Sequence, residues 1–328
     1  MADETSLIQT HLAPLAAGEA LGLADDAACL TPPPGHELVL TADAIVEGTH
    51  FLPGDDPADI AAKAIAVNLS DLTAKGATPL GYLLTLVFPQ APDDAWMRGF
   101  AAGLSARAHG KLFGGDMTVG GSVLSVSVTA IGAVPHDRMV RRSGARPGDI
   151  LFVTGPLGTK LAGLMAATDP AWVVATGLSR EDLDPLIAEY RAPPVPFADI
   201  YARIVRDHAS AALDISDGLL IDLERLSAAS GTGAVVEAEK LPLHRTVRAL
   251  IDNGHLSLEA TVTGGDDYVV LFSVPEHMAE AVIQAGGIAR CHAIGKIVPS
   301  AQGVKILDGD GLPMAIGGRH GYDHFTGT

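Results

Sequence analysis

The 328-residue chain has only two cysteines, Cys29 and Cys291, and they show no paired spacing. Neither a disulfide framework nor a structural zinc site is therefore indicated, and a reducing compartment is the default expectation. Long apolar runs are also missing, since the longest, such as residues 80–88, are too short to span a bilayer. No basic region followed by an apolar run opens the chain, so no signal peptide is predicted. We expect a cytoplasmic protein.

Basic residues are scarce as well. The 22 lysines and arginines face 39 aspartates and glutamates, which gives a formal net charge of -17. Such a surface repels phosphate backbones and anionic lipid headgroups, so nucleic acid and membranes are excluded as expected partners. A phosphorylated small molecule could bind only if cations reversed the local field. The charge is equally compatible with ordinary solubility.

Familiar catalytic motifs are absent too. The segment 155–160, Gly-Pro-Leu-Gly-Thr-Lys, lacks the spacing of a phosphate-binding loop, and a glycine-rich turn between a strand and a helix explains it. Residues 214–218 are not a nucleophile elbow because Asp214 stands where glycine is required. The twelve histidines form no His-Glu-x-x-His pair, and His320 and His324 are interpreted as surface or packing residues.

The hydrophobic content of 48% is ample for two cores, and the pattern predicts two mixed α/β (α+β) halves. We place an N-terminal domain at 1–137 and a C-terminal domain at 138–328. Thr5 and Ser6 are expected to cap a short first helix. The predicted strands cover 36–46, 80–88, 122–134, 149–154, a segment ending at 215, 234–238, 259–263 and 268–274. The predicted helices cover 56–75, 93–109, 158–167, 181–190, 196–207 and 217–230.

Against this background, seven aspartates lie among alanines, glycines and branched aliphatics, where a solvated carboxylate is not expected. They are Asp25, Asp26, Asp43, Asp71, Asp116, Asp214 and Asp217. A buried carboxylate requires a cation or dense hydrogen bonding, and few basic residues lie nearby in the sequence. We therefore predict bound divalent metal ions, which in turn hold a polyanion.

The local patterns around these aspartates fit such a site. Asn68 and Asp71 share a helix face of small residues, and Gly115 precedes Asp116 where a backbone amide could approach an anion. Asp217 begins a helix whose N-terminus favours anions. Taken singly, each has a more ordinary interpretation: Asp217 as a helix cap, Asp71 as a solvated residue, and Asp116 as part of a turn.

The chain contains an ordered set of motifs: Ala24-Asp25-Asp26-Ala27-Ala28, Thr41-Ala42-Asp43, Gly48-Thr49-His50-Phe51, Lys63-Ala64-Ile65-Ala66-Val67-Asn68-Leu69-Ser70-Asp71, Gly114-Gly115-Asp116, Arg142-Ser143-Gly144, Asp214-Ile215-Ser216-Asp217-Gly218, Gly264-Gly265-Asp266-Asp267-Tyr268 and Gly321-Tyr322-Asp323-His324-Phe325. This ordered set resembles the thiamine-monophosphate kinase family over nearly the whole chain. Three positions differ from the family pattern: Ala24 replaces glycine, Met117 replaces threonine, and Asp266 replaces glutamate.

The resemblance implies a fold shared with aminoimidazole ribonucleotide synthetase and selenophosphate synthetase. In that fold a mixed N-terminal sheet forms a barrel-like homodimer interface, and ATP and metals bind between the halves of each chain. The implied magnesium ligands are Asp26, Thr41, the Ala42 backbone, Asp43, Asp71, Asp116, Asp214 and Asp217. The implied ATP contacts are Gly115, Asp116, Arg142 and Ser216, and the implied thiamine monophosphate contacts are His50, Asp266 and Tyr322.

The implied reaction is in-line transfer of the ATP γ-phosphoryl group to thiamine monophosphate, assisted by several magnesium ions. Its acceptor oxygen is already anionic, which agrees with the missing nucleophile motifs. Selenophosphate synthetase and the hydrogenase-maturation relative are disfavoured, because each would be expected to carry a cysteine or selenocysteine near one terminus. A metal-dependent phosphohydrolase and a non-enzymatic cation binder stay open as alternatives.

Overall fold

The computed structural model describes residues 3–107, 111–195 and 198–322, and the chain divides into two compact units. The first unit comprises Met1–Leu72 and Ala77–Met139, and the second comprises Thr73–Gly76 and Val140–Thr328. Each unit contains a mixed β-sheet and several helices. The predicted mixed α/β fold with two domains is thereby confirmed.

The first unit is built on a four-stranded sheet in the order β1-β4-β2-β3. β4 pairs antiparallel with β1 and β2, and β2 pairs parallel with β3. Within the described residues the sheet is open, with β1 and β3 at its edges. Its regular elements are α1 (Glu4–Leu7), β1 (His36–Val46), α2 (Pro57–Ala74), β2 (Thr78–Phe88), α3 (Asp94–Arg107), β3 (Lys111–Val119) and β4 (Ser125–Pro135).

Small residues let the helices of this unit pack closely. α2 begins with proline at its first position and buries a run of alanines. A Cβ added at Gly103 of α3 would lie 2.3 Å from the Ala58 carbonyl oxygen of α2, so only glycine permits this approach. Leu72 of α2 reaches Gly132 of β4, which shows that α2 covers one face of the sheet.

The other face of this sheet carries exposed apolar side chains. Alternation along β1 buries Val39 and Ile45 toward the helices, whereas Leu40 is 63% exposed. Leu83 of β2 is 39% exposed. The sheet is therefore covered by helices on one side. On the other side, apolar residues between positions 16 and 30 pack against Ile131, and Leu40 and Leu83 stay exposed in the single chain.

The second unit contains a six-stranded sheet in the order β10-β7-β9-β5-β8-β6. Only the β7–β10 pair is parallel among the described pairs. Its elements are β5 (Ile150–Val153), α4 (Thr159–Thr168), α5 (Pro170–Thr176), α6 (Arg180–Arg191), α7 (Ala198–His208), β6 (Ala211–Ile215), α8 (Leu219–Ser230), β7 (Thr232–Glu237), α9 (Arg245–Asp252), α10 (Leu258–Thr263), β8 (Val269–Val274), α11 (Ala279–Gly286), β9 (His292–Pro299) and β10 (Val304–Leu307).

Apolar clusters cover both faces of the second sheet. One contains Phe152 and Phe272, whose rings stack with centroids 5.5 Å apart, and another contains Leu151 and Leu271. The central strands β5 and β8 are consequently buried almost throughout. In the part of the chain that the structure describes, no helix has both the length and the apolar character needed to cross a membrane.

Several sequence-based expectations about elements are wrong. Residues 259–263 were predicted as a strand but lie in α10, which Ser257 caps by accepting the Ala260 amide. Its β-branched residues suggested a strand, yet Thr261 and Thr263 donate their hydroxyls to carbonyls four residues earlier. The first helix is capped by Asp3. Helix residues predicted at 108–109 and 196–197 lie outside the described residues.

Candidate functional site

The seven aspartates are less buried than the sequence suggested. Asp25, Asp26, Asp43 and Asp116 are exposed in the single chain, and Asp71, Asp214 and Asp217 are half-buried. The expectation that burial forces a cation onto these carboxylates is therefore wrong. Buried neighbours flank Asp71 and Asp214, whereas Ala42 and Ala44, on either side of Asp43, are exposed as well.

One group of predicted residues lies where β1 faces α2. Thr41 donates its hydroxyl to the Asp71 carboxylate. Alternation places Thr41 and Asp43 on the same face of β1, and Ser127 donates its hydroxyl to the Asp43 carbonyl at 3.4 Å. Ala42 lies between them with its side chain on the other face. This group thus provides two carboxylates and a hydroxyl from neighbouring elements.

A second group lines a cavity of about 190 Å³ in the first unit. Asp25, Asp26, Gly115 and Asp116 contribute to its wall, together with apolar residues that include Leu84. Asp25 accepts the Asp26 amide at 2.7 Å, which is a local structural role. The cavity therefore combines an apolar lining with carboxylates.

Gly115 has a structural requirement of its own. It pairs with Leu84 across β2 and β3, and a Cβ at this position would lie 1.7 Å from the Leu84 carbonyl oxygen. Any side chain there would push the two strands apart. The predicted turn before a strand is also corrected, because Gly114, Gly115 and Asp116 lie inside β3.

The two groups lie at opposite edges of the sheet. Asp43 belongs to β1 and Asp116 to β3, with β4 and β2 between them. At about 4.8 Å per strand spacing, their backbones are roughly 14 Å apart. One ion cannot be bound directly by both carboxylates of a single chain, since ligand oxygens lie about 2.1 Å from magnesium.

His50 follows β1 and is held by backbone contacts. The Val46 amide donates to His50 Nδ1 at 3.1 Å, so the neutral ring carries its proton on Nε2. The buried Lys63 donates its ammonium group to the His50 carbonyl at 2.7 Å. The loop therefore presents the imidazole in a defined orientation.

In the second unit, the backbone amides and carbonyl groups of Ser216 and Asp217 all form hydrogen bonds. The buried Asp222 carboxylate accepts both amides, at 3.1 and 3.0 Å. The Ser216 carbonyl accepts the Asp266 amide at 2.8 Å, and the Asp217 carbonyl accepts the Tyr322 amide at 3.0 Å. Four predicted site residues, Ser216, Asp217, Asp266 and Tyr322, are thereby brought together.

Arg225 connects two carboxylates of this cluster. Its Nη1 donates to Asp217 Oδ2 at 2.5 Å and to Asp222 Oδ1 at 2.7 Å. Burial raises the pKa of the Asp222 carboxyl, and the hydrogen bond from Arg225 opposes that rise. Sequence reasoning missed both residues, although their positions in the first turns of α8, just after Asp217, were a usable signal.

The loop 264–268 has unusual backbone geometry. Asp266 and Tyr268 both adopt left-handed conformations, with φ of 68° and 50°. Such conformations are uncommon for residues other than glycine and persist when surrounding contacts fix them. Here the Tyr268 hydroxyl donates to Asp266 Oδ1 at 2.7 Å, and a Cβ on Gly265 would meet the Ser216 carbonyl oxygen at 2.5 Å.

Asp267, within the same loop, is fully buried. It accepts the Gly158 amide at the start of α4 at 2.9 Å, and its other oxygen has no hydrogen-bond partner among the described residues. Desolvation raises its pKa from 3.8 to about 7, although the nearby Lys160 cation opposes the rise. Lys160 is itself buried, with its ammonium group 3.6 Å from the Glu189 carboxylate, so residues 155–160 do not present a lysine to a phosphate as a phosphate-binding loop does.

Two further predicted site residues of the second unit are Asp214 and Arg142. Asp214 is near the end of β6, where it pairs with Val270 of β8. Arg142 precedes Gly144, whose φ of 124° and contact with the Ser210 carbonyl oxygen exclude a side chain. The end of the last motif, Asp323, His324 and Phe325, lies outside the described residues.

The donor atoms at these positions suit magnesium, which prefers carboxylate, hydroxyl and carbonyl oxygens. They are not arranged as a closed metal site within either unit. Among the described residues, the group of three acidic or histidine donors that come within 4.8 Å of one another is Glu37, His136 and Asp137, none of which was predicted. The predicted carboxylates are thus suited to ions that a polyanionic ligand would help to hold.

The chain matches the family model of AIR synthase related protein, N-terminal domain, over residues 24–134, and the C-terminal domain model over residues 146–308. It is 38% identical to thiamine-monophosphate kinase from Salmonella typhimurium over 312 residues, which cover 93% of this chain and 92% of the relative.

Solved structures agree with this match. Thiamine-monophosphate kinase from Stenotrophomonas maltophilia K279a superposes with a TM-score of 0.78 at 34% identity, covering 89% of this chain and 91% of that chain. AaThiL complexed with AMPPCP and TMP gives a TM-score of 0.76 at 29% identity, covering 92% and 91%. The chain therefore belongs to the thiamine-monophosphate kinase family of enzymes, among the AIR synthase related proteins.

Proposed function

We propose that the chain phosphorylates thiamine monophosphate with ATP, giving thiamine diphosphate and ADP. The observation that carries the proposal is the cluster around Ser216 and Asp217. There, residues assigned to ATP, to metal and to thiamine monophosphate are joined by direct hydrogen bonds. The solved relative AaThiL, complexed with AMPPCP and TMP, supports the same pair of ligands.

The metal in this proposal is magnesium, held by two groups in the first unit and one in the second. Asp43 and Asp71 with Thr41 and the Ala42 backbone form the first group, Asp26 and Asp116 the second, and Asp214 and Asp217 the third. Because Asp43 and Asp116 lie at opposite sheet edges, more than one ion is required. Bound magnesium would neutralise phosphate charge and lower the repulsion between ATP and its acceptor.

The ATP contacts in this proposal are Gly115, Asp116, Arg142 and Ser216. Arg142 adds a permanent positive charge in a chain whose net charge is -17. The cavity beside Gly115 has apolar walls suited to a nucleoside base, with carboxylates at the same place to hold metal-bound phosphates. Base and phosphates would then be recognised by different parts of one cavity.

The acceptor contacts are His50, Asp266 and Tyr322. His50 offers a ring N–H toward a phosphate oxygen. Asp266 is oriented by the Tyr268 hydroxyl, and its negative charge suits the cationic thiazolium ring. Tyr322 is 38% exposed and anchored through its amide, so its ring can stack on the same cation.

The chain's residues act by positioning the two phosphates in line rather than by forming a covalent intermediate. The attacking oxygen is an anion already, so no serine, cysteine or histidine needs to remove a proton. Alignment of the two phosphates by several fixed contacts can account for a large part of the reduction in the activation free energy. The 264–268 loop, in which the Tyr268 hydroxyl is hydrogen-bonded to Asp266, would contribute to this alignment.

The exposed apolar side chains on the second face of the first sheet support a homodimer with a barrel-like interface. Leu40 and Leu83 are exposed there, and large apolar side chains on an uncovered sheet face mark interaction surfaces. If two copies of the chain packed together here, the first sheet of each copy would cover that of the other, as expected for a two-fold symmetric contact.

One experiment separates the kinase from a phosphohydrolase and from a cation binder. The purified chain is incubated with ATP and magnesium, with and without thiamine monophosphate, and the products are identified by mass spectrometry. ADP and thiamine diphosphate formed only when the acceptor is present support the kinase. Inorganic phosphate released without acceptor supports the hydrolase, and unchanged ATP in both reactions contradicts an enzyme of either kind.

A further inference from the structure

Arg225 forms an ion pair with the Asp217 carboxylate, and the proposed reaction does not require this pair. Its Nη1 is shared between Asp217 Oδ2 and Asp222 Oδ1. Asp222 is buried, whereas the Asp217 side chain is 22% and the Arg225 side chain 38% exposed. The guanidinium thus lies at the surface end of the cluster, in contact with the carboxylate that a metal ion would approach.

The backbone around Asp217 is fixed independently of Arg225. Asp222 Oδ2 accepts the amides of Ser216 and Asp217, and Tyr322 donates to the Asp217 carbonyl. Gly218, with φ of 126°, leaves a would-be Cβ only 2.8 Å from the Thr263 carbonyl oxygen. Removing the guanidinium therefore removes a positive charge beside the Asp217 carboxylate and a contact that orients it, while these backbone contacts remain.

The contact has an electrostatic consequence for metal binding. The Arg225 guanidinium neutralises the Asp217 carboxylate as a metal ion would. The same guanidinium repels a divalent cation that approaches these oxygens. To bind the Asp217 carboxylate through Oδ2, alone or together with Oδ1, a divalent ion has to displace Arg225. The displaced guanidinium stays within reach of Asp222 and becomes available for a phosphate oxygen, the geometry that arginine binds best.

We propose that Arg225 is a positioning residue that holds Asp217 as a built-in counter-ion and that a divalent cation must displace it to bind the Oδ2 atom. The proposal rests on the assignment of Asp217 as a metal ligand in the proposed function. It predicts that the free enzyme binds divalent cations at Asp217 weakly and that a polyanion arriving with the metal offsets the cost by accepting the released guanidinium.

The test measures Mn²⁺ binding to the full chain in the absence of nucleotide, from the electron paramagnetic resonance signal of free Mn²⁺. The proteins are the wild type, R225Q, R225K, D217N and the double variant D217N/R225Q. R225Q is expected to lower the dissociation constant about fivefold, and R225K about twofold because an ammonium group pairs less well with two carboxylates. D217N is expected to weaken binding, and R225Q to add no effect in the D217N background.

Two results would overturn the inference, and they differ in what else they overturn. If D217N weakens Mn²⁺ binding but R225Q leaves it unchanged or weaker, Asp217 is a ligand and Arg225 is not its competitor. If D217N has no effect, the metal assignment of Asp217 is wrong and the inference fails with it. Product formation by the wild type tests the kinase proposal separately. Should R225Q not fold, R225K decides alone, since unchanged or weaker binding there contradicts the competition.

Discussion

The Asp267→Asn substitution is expected to change how the stability of the second unit depends on pH. Asp267 is 1% exposed and accepts one hydrogen bond, from the Gly158 amide. Asparagine has nearly the same shape and keeps an oxygen that can accept this amide, but it does not ionise. The variant therefore isolates the free energy associated with a charge in this place.

The magnitude follows from the pKa of Asp267. Desolvation raises it from 3.8 to about 7 in the fold. Because the folded pKa exceeds the unfolded one, the wild type loses stability as the pH rises from about 4 to about 7, and no further loss from this group follows above that range. A shift of about three units corresponds to roughly 4 kcal/mol. The stability of Asp267→Asn relative to the wild type should rise by about this amount between pH 4 and pH 8.

Tryptophan fluorescence can report on the relevant unit alone. The chain has two tryptophans. Trp96 stacks on Phe100 in the first unit, and Trp172 donates its ring N–H to the His255 carbonyl in the second. In a Trp96→Phe background, urea unfolding followed by Trp172 gives the free energy of unfolding of the second unit from pH 4 to pH 9, with and without Asp267→Asn.

The matched control is Asp184→Asn, which changes an aspartate whose side chain is 61% exposed on α6. Its stability profile is expected to keep the shape of the wild-type profile. The stability profile of Asp267→Asn could also run parallel to the wild-type profile across this pH range. In that case the Asp267 carboxyl is not a buried group that titrates near neutral pH. Burial of the Asp267 carboxyl as the cause of its raised pKa would then be refuted.

Three further outcomes test the proposed site and assembly. Asp71→Asn keeps an acceptor for Thr41 but loses a charge, so turnover in a coupled ADP assay should fall at least about 100-fold while circular dichroism is unchanged; near-normal turnover contradicts its role. Tyr322→Ala should raise the KM for thiamine monophosphate about tenfold and leave the KM for ATP unchanged, because only the acceptor carries the cationic ring; equal changes argue against stacking. Leu40→Glu should convert a dimer to a monomer in sedimentation velocity experiments, with Val174→Glu, at an 81% exposed position of the second unit, as the control that stays dimeric.

Much of the fold could be predicted because the apolar patterns are local and strong. β1 was predicted with its observed bounds, His36–Val46, and α2 to within a residue at its C-terminal end. The exception at 259–263 shows the limit of this reasoning, since β-branched residues favour a strand only while no cap is recognised. Ser257 supplied that cap, and a helix of six residues resulted.

The sequence predicted residues of the candidate site but not how these residues are arranged. The order of motifs identified Ser216, Asp217 and Asp266, which the fold brings into contact. It could not show that Asp222 and Arg225 support them, because that depends on the direction of side chains in the first turns of α8. Nor could it show that the aspartates emerge from the surface, since exposure is a property of the packed chain.

Gly115 affects how substitutions near the cavity can be interpreted. The residue is assigned to ATP, but its missing side chain is also what allows β3 to pair with β2 beside the Leu84 carbonyl oxygen. A variant with any other residue here would lose activity through the displaced strand even if ATP never touched this position. Loss of function at Gly115 is thus uninformative about nucleotide binding, and the neighbouring Asp116, exposed and free of that steric limit, is the position where a substitution reports on the ligand.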